Sequence, residues 1–232
     1  MKKETYQLIE NYMLSCMDDS SHDQDHIYRV LYTALDIART LPNVDYDILI
    51  TACLLHDIGR KDQFEDPTIS HAQAGADKAY HFLTANHFDE KFATHVHDCI
   101  RTHSYRDAHL MQSIEAKILF DADKIDVTGA IGIARTLLYK GKVAEPLYSL
   151  LPDGKVSDGS QDSNPSFLQE YKYKLESIYT QFFTERGMEI AKERQCAAVS
   201  FYQNILGEIN SVYQSADLFL NNMLESNNSS TS

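Results

Sequence analysis

Helical periodicity dominates the pattern of apolar and polar positions along the chain. Over residues 26–37, His26, Val30, Thr33, Ala34 and Ile37 fall on one helical face. Ser20, Ser21 and Asp23 precede that face as candidate N-caps, and Pro42 and Asn43 follow it. The stretch 47–55, DILITACLL, is apolar nearly all round. Such a run also fits a strand, but its length with the preceding turn favours a buried helix, with Gly59 placed to end it. Further helices are predicted over 71–84, 88–103 and 113–140. The pattern then lapses. Residues 144–166 hold three Pro, two Gly and many Ser and Asp, which predicts a flexible loop, either a lid or a tether. Two apolar faces follow. Leu168, Tyr171, Leu175, Ile178 and Phe182 mark one helix; Ala198, Phe201, Ile205, Ile209 and Val212 mark another, with Gly187 between them. From Asn221 the chain turns polar, which predicts a disordered tail over 221–232.

These elements predict an all-α fold. It is read as a single helical domain over 1–220, with a motif-bearing core at about 20–140 and additional C-terminal helices at about 167–220. A chain of 232 residues is long enough for a substantial core. Nine Gly and five Pro are few for a many-turned β-sandwich or barrel. The net charge of −13 disfavours a nucleic-acid polymer as partner, which needs a basic footprint, but leaves room for a small anionic substrate at a local cationic cluster. No stretch approaches 18 uncharged apolar residues, and the N-terminus lacks a signal-like apolar core, so no membrane association and a cytoplasmic location are expected. Cys16, Cys53, Cys99 and Cys196 have no CxxC spacing and read as free thiols of a reducing compartment. Tyr171, Tyr173 and Tyr179 are expected in the core, with a homodimer contact as the alternative.

All ten histidines lie within the first 109 residues, which places any metal or acid–base chemistry there. Of three His-Asp pairs, His22-Asp23 and His97-Asp98 have polar surroundings, whereas His56-Asp57 ends the apolar run Cys53-Leu54-Leu55. An imidazole and a carboxylate at the end of a buried helix need a partner, because burying an unpaired charge costs several kcal/mol. A cation meets that need, since neutral imidazole and carboxylate are both ligands. His26 shares the apolar face of its own helix, with Arg29 one turn on. In the 113–140 helix, Ile118, Ala122, Ile125, Gly129 and Ile133 define the apolar face. Asp121 falls on the opposite side beside Lys117 and Lys124, where lysine pairing is expected. Asp123 and Asp126 fall on or beside the apolar side, and either is a candidate ligand. In the 88–103 helix, His103 continues the inward face of Phe92, Val96, Cys99 and Ile100; His95 lies at its edge and His97 points away.

In order along the chain stand HxxRV, LLHDIG, HAQAG, IRTHS and EAKILFDADKIDVTGAIGIART. This set resembles the H…HD…D signature of the HD-domain metal-dependent phosphohydrolases, over roughly residues 20–140, and is similar to small bacterial HD hydrolases of the YpgQ/YedJ type. The resemblance implies a nucleotide pyrophosphohydrolase with His26, His56, Asp57 and Asp123 as metal ligands. The family's A-D-[KR] context selects Asp123 over Asp126. His71 and His103 stand where some members add ligands for a second ion; otherwise they would meet phosphate or water. Some nucleotidases of the family carry a Glu three residues after the HD Asp, where this chain has Arg60, which puts that mechanism in doubt here. Arg29, Arg60 and Lys61 are the expected phosphate contacts, and Asp126 the group that orients a ligand histidine. The mixed N/O set suits a divalent ion, manganese first, with Mg, Fe, Co, Ni or Zn as alternatives. The expected substrate is a small phosphorylated molecule, a nucleotide; phosphomonoesterase, phosphodiesterase and non-catalytic sensor readings compete.

Overall fold

A computed structural model describes residues 1–17, 24–104 and 111–228. The expected N-caps Ser20, Ser21 and Asp23 and the His22-Asp23 pair lie outside the described residues. The fold is all-α. Among the described residues the only extended pairing is an isolated antiparallel bridge, Leu150 to Val156. The chain forms two compact units, one of Met1–Asp126 with Phe182–Ile190, the other of Val127–Gln181 with Ala191–Ser232.

The first unit is built around one apolar helix. It contains α1 (Lys3–Met17), α2 (Gln24–Ala38), α3 (Tyr46–Leu55), α4 (Arg60–Glu65), α5 (His71–Ala85), α6 (Glu90–Arg101) and α7 (Ile114–Ile125). The run 47–55 is a helix, as its length predicted, with the Asp45 carboxylate accepting from the amides of Asp47 and Ile48 at its start. Seven of its ten residues are buried, from Ile48 and Leu49 to Leu55. A helix without a polar face needs neighbours all round, and α3 has them in α1, α2, α6 and α7. Its end therefore delivers residues 56 and 57 into the interior, both under 7% exposed.

Gly59 does not terminate α3, whose last residue is Leu55. It is a point of close approach. A Cβ there would sit 2.3 Å from the His71 carbonyl oxygen and 2.5 Å from the Gly75 amide nitrogen. The missing side chain lets the start of α5 lie against the turn after Asp57.

The expected helix over 113–140 is two helices, α7 and α8 (Gly129–Lys142). Asp126 ends α7, its amide donating to the Asp123 and Lys124 carbonyls, and Gly129 opens α8 at φ +61, where a Cβ is disfavoured. Asp121 pairs with no lysine. It is fully buried and accepts from the amides of Phe183 (2.9 Å) and Thr184 (2.7 Å) and from the Thr184 hydroxyl (2.6 Å). Gly187 likewise separates no helices. It lies inside the first turn of α10 (Glu185–Asn228), where a Cβ would fall 2.6 Å from the Asp121 carboxylate.

The second unit has its own core of Ile133, Phe167, Leu168, Tyr171, Leu175, Ala198 and Tyr202. The Leu168–Phe182 face is interrupted: α9 (Phe167–Glu170) runs into a π turn (Tyr171–Leu175) and then a 3-10 turn (Ile178–Thr180). Tyr171 is buried and stacks on Tyr202 with centroids 4.1 Å apart, while Tyr173 is exposed. The segment 144–166 is non-helical, and Ser149 and Ser157 both donate to Asp162. Helix α10 continues through Asn228, where polar composition predicted a disordered tail. No helix of the described residues is long and apolar enough to cross a membrane.

Candidate metal centre

Six elements of the first unit bring the candidate residues together. Helix α2 supplies His26 and Arg29, and the end of α3 supplies His56 and Asp57. Arg60 opens α4 and His71 opens α5; His103 follows the α6 cap Thr102, and α7 brings Asp123, Lys124 and Asp126. His26, His56, Asp57, His103, Asp123 and Asp126 are all less than 7% exposed. Lys61 is exposed on α4 and stands outside this group.

Two groups of donor atoms adjoin. The ligand atoms of His26, His56 and Asp123 lie within 4.8 Å of one another, as do those of Asp57, His71 and His103. Asp57, of the second group, also reaches the histidines of the first. Its Oδ2 lies 3.6 Å from His26 Nε2 and 3.7 Å from His56 Nε2. Its Oδ1 lies 3.6 Å from His103 Nε2 and 3.9 Å from His71 Nε2. Asp123 Oδ1 is 3.4 Å from His26 Nε2.

The outer ring nitrogens show what each imidazole offers. His26 Nδ1 donates to Asp126 Oδ2 at 2.7 Å, His56 Nδ1 to the Cys53 carbonyl at 2.8 Å and His103 Nδ1 to the Ile100 carbonyl at 2.5 Å. Each Nε2 then carries the lone pair when the ring is neutral. The Nε2 atoms of His26 and His56 face each other at 3.3 Å, and buried His103 Nε2 has no hydrogen-bond partner. Inward lone pairs beside two carboxylates, one of them orphaned in a buried position, fit a divalent cation.

Electrostatics of the site point the same way. Burial alone would lower the pKa of His26, but hydrogen bonds to Asp123, Asp126 and Asp57 outweigh it and raise the value to about 10. Burial lowers His56 to about 4, and burial with the nearby Arg60 charge lowers His71 to about 3. Burial opposes ionisation of Asp57 and Asp123, yet Arg60 and His56 for the first, and Lys124 and His26 for the second, hold both well below the usual carboxylate range.

The surrounding cations are all held by carboxylates. Arg29 donates Nε to Asp126 Oδ1 at 2.7 Å, and Arg60 donates Nε to Asp57 Oδ1 at 2.9 Å; each side chain is 32% exposed. Lys124, expected on a polar face, is buried and donates Nζ to Asp123 Oδ2 at 2.6 Å. Sequence reasoning missed it because a long side chain doubles back toward its own neighbour. It also missed Glu115, buried beneath His95 at 3.2 Å and accepting from the Asp45 amide at 2.8 Å. His97 faces outward to Asp77 and Asp98, as its helical position predicted.

Comparison with known proteins adds a family. The HD domain model matches residues 24–128, which span every residue of the centre. Bacillus subtilis YpgQ is 26% identical over 196 residues, covering 83% of this chain and 86% of that protein. The crystal structure of YpgQ in complex with ADP superposes with TM-score 0.68 at 24% identity, covering 88% of this chain and 95% of that one. An HD-superfamily hydrolase from Bacillus thuringiensis superposes with TM-score 0.67 at 27% identity, covering 90% and 99% respectively.

Proposed function

We propose, from the premise that this chain carries an HD domain of the metal-dependent phosphohydrolase type, that it converts nucleoside triphosphates to monophosphates and pyrophosphate. The carrying observation is the convergence of His26, His56, Asp57 and Asp123 on one buried point, with partly exposed Arg29 and Arg60 beside it. Nucleotide recognition is supported by the related YpgQ, whose structure contains ADP.

In this reading His26 and His56 ligate through Nε2, Asp57 through Oδ2 and Asp123 through Oδ1. A divalent ion held there supplies positive charge that acidifies water and polarises a phosphoryl group. The chain's own residues do the rest. Asp126 keeps the His26 proton on Nδ1, and the Cys53 carbonyl does the same for His56. Lys124 occupies Asp123 Oδ2, leaving Oδ1 to face the centre. Arg29 and Arg60 offset the charge of the entering phosphates. Water attacks the α-phosphorus, the bond to the α–β bridging oxygen breaks, and pyrophosphate leaves.

Product analysis tests this. The protein is incubated with Mn²⁺ and a panel of NTPs and dNTPs beside His56→Ala, with nucleotide, pyrophosphate and orthophosphate resolved separately. Monophosphate plus pyrophosphate, absent in the variant, is expected. Orthophosphate alone would move the reading to a phosphomonoesterase. Turnover of cyclic dinucleotides only would make it a phosphodiesterase, and nucleotide binding without product would make it a sensor.

A further inference from the structure

Two adjoining donor groups invite the reading that two ions share Asp57. The hydrogen bonds around the second group argue otherwise. An imidazole ligates only through an unprotonated nitrogen, and the partner of the other nitrogen decides which one that is. In His26, His56 and His103, Nδ1 donates outward and Nε2 presents a lone pair inward. His71 is the exception. Its Nδ1 lies 3.4 Å from Arg60 NH1, within a hydrogen bond. A guanidinium has donors only, so Nδ1 accepts and the proton of the neutral ring sits on Nε2. That is the nitrogen facing Asp57 Oδ1, at 3.9 Å. His71 therefore offers the shared carboxylate an N–H rather than offering an ion a lone pair.

The same arginine occupies the shared oxygen. Arg60 Nε donates to Asp57 Oδ1 at 2.9 Å, so a fixed positive charge already sits where a second cation would need that oxygen. With His71 reversed and Oδ1 taken, the second group retains one ready ligand, His103 Nε2. One imidazole and a preoccupied carboxylate oxygen make a poor site for a further divalent ion. Local geometry maintains the arrangement. Arg60 is one helical turn after Asp57, and the close approach at Gly59 brings the first residue of α5 within reach of the guanidinium.

We infer that Arg60 sets the metal count of this centre at one: it fixes His71 as a hydrogen-bond donor and takes the place of a second cation. The inference rests on the ligand set proposed above for the first ion, and the test separates the two. The full chain is stripped with chelator, dialysed against Mn²⁺ and assayed for bound metal per chain, with Mn²⁺ EPR on the same samples. Wild type is expected to bind one ion with an uncoupled six-line spectrum. Arg60→Ala is expected to bind two, with a spin-coupled spectrum, and the Arg60→Ala/His71→Ala double variant is expected to return to one. Arg60→Gln, closer in size, serves if the alanine variant fails to fold by circular dichroism. Two ions in wild type, or one in folded Arg60 variants, would overturn the inference while leaving the first site standing. No bound ion in wild type would overturn the proposed ligand set itself.

Discussion

Asp126 is the most informative residue to change, because it touches the centre without being a proposed ligand. Its carboxylate accepts from both His26 and Arg29. Oδ2 accepts from His26 Nδ1 at 2.7 Å and from Arg29 NH2 at 3.1 Å, and Oδ1 accepts from Arg29 Nε at 2.7 Å. Asp126→Asn keeps the shape but leaves one oxygen and introduces an N–H₂ that must face a donor. If the amide turns its nitrogen toward His26, the ring is driven to carry its proton on Nε2, which then ceases to be a ligand. If it turns toward Arg29, the ring stays oriented but loses the negative charge that makes it basic. Groups in this position are worth roughly 10–100-fold in metal affinity. At about 1.4 kcal/mol per decade, that is about 1.4–2.8 kcal/mol. Calorimetric titration of the chelator-treated protein with Mn²⁺ at fixed pH measures it. Arg29→Gln is the control: it disturbs the same carboxylate yet keeps the His26 bond and removes a positive charge. Mn²⁺ binding should therefore be unchanged or tighter. Wild-type affinity in Asp126→Asn, or an equal loss in Arg29→Gln, would refute the claim that Asp126 acts through the His26 tautomer.

Three further outcomes follow from the geometry. The metal-free protein should be most stable near neutrality: His56 and His71, lowered to about 4 and about 3, cost stability as pH falls from 6.5 toward those values, at roughly 3 kcal/mol each or more. His26, raised to about 10, contributes stability below pH 6.5 that is lost as pH rises through 10, so urea melts at pH 4.5, 7 and 9.5 should show both flanks. Asp121→Ala strands the buried amide and hydroxyl of Thr184 and the amide of Phe183, and should cost about 2–3 kcal/mol in denaturant unfolding; a loss under about 0.5 kcal/mol would refute the structural role of this carboxylate. Gly59→Ala forces a Cβ against the His71 carbonyl and should lower stability by about 1–3 kcal/mol, with a matching fall in melting temperature.

The fold and the candidate centre were legible in the sequence to different depths, for physical reasons. His56-Asp57 stood out because polar groups ending a fully apolar helix demand a partner, and both are buried. His103 was legible as an inward position because it continues the apolar face of α6 even past the helix end. The break after Asp126 was hidden: Ile125, Gly129 and Ile133 keep helical spacing across it, so periodicity runs straight through a turn that a positive-φ glycine makes. Asp121 was misassigned because a helical wheel sees only near neighbours, whereas its partners lie 62 and 63 residues on. Gly59 and Gly187 were read as helix ends because a terminating glycine and a closely approached one look alike in one dimension.

What the motif names and what the site does are therefore separate kinds of information. The spacing of histidines and aspartates identifies donor types, and those are local properties of residues. Whether a given imidazole ligates or donates is decided by whatever holds its other nitrogen: a carboxylate 100 residues away for His26, backbone carbonyls three residues back for His56 and His103, a guanidinium for His71. A backbone carbonyl has no signature in sequence, and an arginine three residues after an aspartate is also an ordinary surface pair. Only the placing of that pair, its Asp57 buried, beside His71 and three other imidazoles gives Arg60 control over proton placement, and that placing is a property of the folded unit. The burial of these donor types was thus readable in advance. Which nitrogen of each imidazole faces the centre required the fold.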